Sequence, residues 1–523
     1  MIVRTVAAVV LGSLAAGPAL AEFVTLRTRD GSVAITGQLA GFADGTYTLS
    51  TNIGMVNLPA EMVECMGEAC PELPCGQSLR VAGSRVLADR VMPSLMAAFA
   101  AGQGGGASRR TEDGAMAFAF GEGPDEGEGV IVPHADTAAG LRALLAGDAD
   151  LAMAARPAMA EEMAAFDAAG RGDLGEIGHG HALGTDALVL AVHPANPLRA
   201  LGLDDVERVL SGRVTDWGDL GGRPGPITLY LREAGSGPRE MLADLVLAPR
   251  GLTLPEGVEV RDSAEALAEA IGADPRGLAV AGYARHGGAA LAVGGGCGLR
   301  VPPAPFSIAS GEYPLARPLL LYREGETSSG RIRPFLEFAA SKEGQAIVAG
   351  SGIVPLSIRS RAADGEGLRL AAALQAARTP ADLVLVREMA VLLLGSERLS
   401  VTFRFEPGTA RLTARSQADL FRLAGYLQEA GSGREAIFAG FAGEPGGPGG
   451  PGGADGHWDL SRERAERVRR AVFAAWPGPE PEPGSRALGF GHVSPLTCPG
   501  DADRSIEDRV EVWLSGPAPD DGS

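Results

Sequence analysis

From residue 78 to about 282 the chain alternates between short apolar runs and segments with helical spacing. "SLRVAG" precedes "VMPSLMAAFAA", "AGLRALLAGDADLAMAAR" runs from helix into strand, and "DALVLAVHP", "DDVERVLSG", "PITLYLR", "PREMLADLVL" and "GLAVAGYA" continue the series. A strand repeats its faces every two residues and a helix every 3.6, so each change of period marks a change of element. Strands separated by helices pair in parallel, with the helices laid over the sheet faces. The stretch is long enough for two lobes built this way.

A chain of 523 residues exceeds what one core can organise and suggests about three domains. Residues 1–21, "MIVRTVAAVVLGSLAAGPALA", join Arg4 to a short apolar centre and Ala19-Leu20-Ala21, the pattern of a cleaved secretory signal. Gly17-Pro18 and the shortness of the run argue against a retained anchor, so an exported, soluble protein is expected. Residues 22–76 alternate apolar and polar positions around Asp30-Gly31 and Asp44-Gly45, which predicts a small all-β module with a cysteine-bearing tail. Residues 77–358 hold the two-lobed α/β unit and 359–398 read as a helical linker. Residues 399–515 form a further α/β unit, interrupted by the flexible insert "GEPGGPGGPGGADG", and 516–523 are a disordered tail.

The net charge of -19 argues against nucleic acid or an anionic membrane as partner. Lys342 is the only lysine among 46 basic residues, a skew that points to coding bias, so arginine abundance by itself says nothing about anions. Of five cysteines, Cys65 and Cys70 are the disulfide candidate, because export favours disulfides over zinc and the C-x4-C-x4-C spacing is not a zinc pattern. His179 and His181 in "GHGH" lack a completing carboxylate or cysteine cluster and read as a solvated loop, so neither a metal nor a cofactor is expected. No serine has an evident base partner, so no catalytic residue is assigned and the protein is read as non-enzymatic.

One string stands out. In "LYLREAGSGPREML", residues 229–242, a strand ends at Arg232 and a Gly-Ser-Gly-Pro turn opens a helix. Unpaired N–H groups and a positive dipole favour anions at such a place, and Ser236 adds a hydroxyl. An ordinary surface turn is the other reading of the same string, and Gly-Ser-Gly recurs at 431–433.

The wider chain adds a resemblance. "VAGSRVLADRVMPSL", "LAGDADLAMAARPAMAEE", "NPLRALGLDDVERVLSGRVTDWGDLGG", "YPLARPLLLY" and "FLEFAASKEGQAIVAGSGIVPL" resemble, in order, the phosphate-binding proteins of ABC transporters. "FRFEPGTARLTARSQADL", "LSRERAERV" and "RVEVWL" resemble OmpA-like peptidoglycan-associated domains. The resemblances imply a multidomain architecture: a small all-β N-terminal module, a periplasmic-binding-protein fold of type 2 with two α/β lobes, and a C-terminal α/β OmpA-like domain. By the first likeness, Ser84, Thr137, Arg156, Arg232, Ser236 and Gly237 would hold phosphate or a similar oxyanion. Val86 and Pro238 stand where hydroxyl donors are usual, and Asp136 stands where a glycine is usual. By the second, Arg464 and Arg509 would contact peptidoglycan, although Gly443 replaces the paired aspartate and His457 an asparagine. The implied partners are the anion, an ABC permease or sensor, and peptidoglycan, in the periplasm of a Gram-negative envelope with cell-wall or outer-membrane association. The alternative is a structural envelope scaffold whose lobes no longer bind phosphate.

Overall fold

The computed structural model describes residues 23–28, 34–43, 46–51, 54–59, 63–66, 78–111, 114–121, 127–134, 136–294, 299–324, 330–362, 367–406, 409, 411–430, 433–443, 454–476, 483–496 and 505–516. The signal segment 1–21, Cys70, most of the Gly-Pro insert and nearly all of the tail lie outside them. The chain divides into two compact units, Met1–Cys75 and Gly76–Ser523.

In the first unit five antiparallel strands run in the order Gly54–Pro59, Thr46–Thr51, Ala34–Ala43, Phe23–Thr28, Val63–Met66. Alternation turns Val24, Leu26, Tyr47, Leu49 and Val63 to one side, where they form the core. Cys65, on the last strand, is disulfide-bonded.

In the second unit, the strands Leu79–Ser84, Glu128–His134 and Leu151–Ala154 lie parallel and form one lobe. Thr228–Arg232, Glu259–Arg261 and Gly277–Gly282 lie parallel in the other. A single long strand, Gly180–Val192, joins the lobes. Its first half pairs with Ala316–Tyr322 and its second half with Gly277–Gly282, both antiparallel. The polar pair Thr185 and Asp186 sits where the pairing changes hands. The sequence reading located only the apolar end of this strand and took "GHGH" for a solvated loop. His181 instead lies within the strand, its Nε2 donating to the Gly178 carbonyl, and burial lowers its imidazole to a pKa of about 4.

The C-terminal sheet runs Ser360–Ala362, Ser396–Arg404, Arg509–Ser515, Ala436–Phe441, Ser485–Gly489. Val510, Val512 and Leu514 point to the face covered by the helices Ala414–Ala430 and Ala454–Ala474. Glu511 and Trp513, one residue out of step, point to the opposite face. That face is covered by the helices Gly367–Ala376 and Pro380–Leu394, through Ala373, Val386, Met389 and Leu392. The stretch read as a linker thus supplies an edge strand and a covering layer of this sheet.

The same face carries a buried charge cluster. Glu511 pairs with Arg369, Arg398 and Arg509, and Glu312, from the segment ahead of strand Ala316–Tyr322, reaches in to Arg398 at 2.5 Å and Arg369 at 3.3 Å. Around it Arg404 donates to the carbonyls of Ser310 and Gly311, Gln417 to that of Gly175, and Arg415 to Thr185 Oγ1 on the long strand. The C-terminal sheet is therefore seated where the long strand passes between the lobes. Burial alone would raise the Glu312 and Glu511 carboxyls, but the surrounding guanidiniums hold both well below the usual carboxylate range.

Removing one member of a buried pair strands the other charge, at a cost of about 3 to 5 kcal/mol. Glu312→Gln is expected to lower the calorimetric unfolding midpoint at neutral pH. Depressed carboxyl pKa values contribute stability above the ordinary carboxylate pKa, and that stability is lost as the pH falls through the folded values. The midpoint of the native chain should therefore fall steeply on acidification below about pH 4.5, and that of Glu312→Gln less steeply.

Candidate functional site

The strand Thr228–Arg232 delivers Arg232 to a tight turn in which Gly235 takes φ +82°, a conformation that favours glycine. The chain then enters the helix Gly237–Leu242, with Pro238 in its first turn. Arg232, Ser236, Gly237 and Pro238 line one wall of a cleft of about 880 Å³, within the usual range for a small-molecule site. The facing wall is the first lobe, with Arg85, Val86, Asp89 and Arg90. A carbon added at Gly237 would stand 3.6 Å from Val86 Cγ2, so the lobes already approach van der Waals contact there.

Arg232 is mostly buried and partly engaged. Its Nη2 donates to Glu233 Oε1 and to the Asp262 carbonyl, both at 2.9 Å, and its Nε donates to the Arg261 carbonyl, leaving Nη1 without a hydrogen bond to a described residue. Ser236 Oγ donates to the Glu233 carbonyl at 2.7 Å, so its proton is committed within the turn.

The other three residues do not line this cleft. Ser84, Thr137 and Arg156 gather at the carboxyl ends of adjacent parallel strands, the end at which α/β sheets usually present ligands. Ser84 and Thr137 are buried, and Thr137 Oγ1 accepts the Ala155 N–H at 3.0 Å, tying its helix to the neighbouring strand. Gly83, at φ +136°, and Gly140 face each other so closely that a side chain on either would strike backbone, which lets that helix lie directly on the sheet. Asp136 caps the helix, its Oδ1 accepting the Ala139 N–H at 2.8 Å. The departure from glycine at 136 therefore has a structural use. Arg156 is clamped bidentately by Glu162, both contacts at 2.8 Å, and this hydrogen bonding raises the guanidinium further above its ordinary pKa.

Several cleft residues escaped the sequence reading. Arg90 donates to Asp186 Oδ2 at 2.9 Å and to the carbonyls of Ser351 and Gly352, drawing together segments far apart in the chain. Glu240 lines the cleft, and burial pushes its carboxyl up. Arg85 and Arg90 are the first and last residues of the short helix that follows Ser84, and their nearness to Ser84 was the available signal.

At the C-terminal sheet, Arg464 lies 2.9 Å from Asp508 Oδ1, which also accepts the Gly443 N–H at 3.0 Å. A carboxylate thus stands beside Gly443 after all, supplied by the residue just ahead of the strand Arg509–Ser515. Arg509 is a correction to the sequence reading: it is fully buried, held by Glu511, Glu507 and the Ser494 carbonyl, out of reach of an external polymer. The side chain of His457 lies outside the described residues. Among the described residues no group of His, Cys, Asp or Glu could hold a metal ion, and no helix is long and apolar enough to cross a membrane.

Asp186 is 3% exposed and bonded to Arg90, so Asp186→Asn should weaken the first wall of the cleft. A loss of about 1 to 3 kcal/mol is expected in urea unfolding.

Residues 125–343 match the PBP superfamily domain. The phosphate-binding protein PstS of Bacillus subtilis is 26% identical over 191 residues, 36% of this chain and 61% of that protein, so the match spans less than two thirds of the relative's length. Among solved structures, an ABC-type phosphate transport receptor from Vibrio cholerae is similar over 53% of this chain and 99% of its own, with 19% identity and a TM-score of 0.42. PstS from Borrelia burgdorferi is similar over 53% of this chain and 98% of its own, with 16% identity and a TM-score of 0.41. Residues 125–343 of this chain are accordingly a PBP superfamily domain.

Proposed function

We propose that residues 77–358 bind an oxyanion, phosphate or one of its shape, in the cleft between their lobes, as a receptor and not an enzyme. The observation that carries this reading is the convergence of Arg232, Ser236 and Gly237 on one wall of the cleft, opposite Arg85 and Arg90. The PBP superfamily match and the Bacillus subtilis phosphate-binding relative support it. Such a receptor works outside the cytoplasm, closing on its anion and presenting the closed form to a permease or a sensor. Arg232 supplies the charge that an oxyanion needs, and reorientation of its Nη1 and of the Ser236 hydroxyl would complete the contacts.

A second reading has an observation of its own. Val86 is buried against Gly237, and Arg156 is consumed by Glu162, as in lobes retained as an envelope scaffold after the anion site was given up. Calorimetric titration of the refolded mature protein with phosphate and then sulfate separates the two. Micromolar or tighter phosphate binding is expected, and Arg232→Ala should weaken it roughly tenfold to a hundredfold, the worth of a charge-assisted hydrogen bond. A folded protein giving no heat with either anion would establish the scaffold.

We also propose that residues 399–515 form an OmpA-like unit that holds the protein at the cell wall. Support comes from Arg464 beside the partly exposed Asp508, an arrangement suited to a ligand bearing both a carboxylate and an ammonium. Retention on purified peptidoglycan is expected for the mature protein and is expected to be lost in Arg464→Ala; a native protein that stays in the supernatant refutes the tether.

A further inference from the structure

The helix Pro380–Leu394 is apolar on two sides. Val386, Met389 and Leu392 face inward and pack with Ile437, Phe490 and Trp513. Leu383, Val384, Val391 and Leu394 point the other way and are 51%, 56%, 66% and 81% exposed. At 3.6 residues per turn these four share a single stripe with Arg387 and Glu388. Both of those charges are exposed, and neither is ion-paired with a described residue. A helix that covers a sheet needs one apolar face, and the second face here has no cover among the described residues.

We propose that this stripe is the interface between two copies of the chain, related by a twofold axis through the Arg387–Glu388 step with the helices antiparallel. The stripe is complementary to itself. Val384 lies three positions before Arg387 and Val391 three after Glu388, so the antiparallel match that sets Arg387 against Glu388 of the second copy also sets Val384 against Val391. Leu383 and Leu394 extend the apolar contact toward the two ends, and antiparallel helices oppose their dipoles favourably. A lipid surface fits less well. Helices that lie on membranes carry a basic polar face, whereas this stripe has one charge of each sign on a chain of net charge -19.

The test is sedimentation velocity of the mature full chain over a range of concentrations, with lipid vesicles containing phosphatidylglycerol in a parallel flotation assay. The native chain is expected to dimerise. Val384→Glu with Val391→Glu should leave a monomer with unchanged circular dichroism and unfolding midpoint, because both positions are exposed. Arg387→Glu or Glu388→Arg alone should weaken dimerisation at least tenfold, by setting like charges across the axis. The double swap Arg387→Glu with Glu388→Arg should restore it. A native chain that is monomeric throughout, a dimer indifferent to the charge swaps, or vesicle binding that the two glutamates abolish would overturn the proposal.

Discussion

The burial of Glu312 among Arg398 and Arg369 constrains everything around it. A carboxylate removed from water is tolerated only where positive charge and hydrogen bonds replace the lost hydration. Here the replacement comes from another part of the chain, more than fifty residues downstream, so the ion pairs hold only while the C-terminal sheet stays seated on the two-lobed region. Glu511 plays the reciprocal part within the sheet, surrounded by three guanidiniums. Two carboxylates and three arginines in one low-dielectric site resist partial opening, because any separation leaves an unmatched charge behind.

That seating matters for the cleft. Arg415 reaches Thr185, the next residue along the long strand is Asp186, and Asp186 holds Arg90 on the first wall of the cleft. The polar step at 185 and 186 lies just before the strand passes from one lobe's pairing to the other's. The helix Ala414–Ala430 and the first wall of the cleft thus hold adjacent residues of the long strand, Thr185 and Asp186.

In the cleft and at the neighbouring strand ends, several polar side chains near the expected anion contacts are already engaged. Ser236 gives its proton to a carbonyl in its own turn, Arg156 is clamped by Glu162, and Asp136 caps its own helix. These are low-cost local solutions to the problem of leaving no buried polar group unsatisfied. They hold the turns in shape, and an incoming anion has to offer more than they do.

The order of elements was legible in the sequence because hydrophobic periodicity reports which face of each segment meets a core. The strand ending at Arg232 and the turn at Gly235 to Gly237 were legible for a related reason: a glycine at positive φ and a proline in the first turn constrain the backbone locally, whatever lies nearby. Periodicity does not report partners. That Arg156 meets Glu162, that Asp508 stands beside Gly443 and Arg464, that Arg509 is sealed inside the sheet, and that His181 is buried in a strand depend on which segments the fold brings into contact. A charged side chain looks the same in sequence whether it faces water or another charge. Tertiary structure alone decided which arginines remain open to a ligand, because only the packed chain determines which carboxylate or carbonyl reaches each guanidinium first.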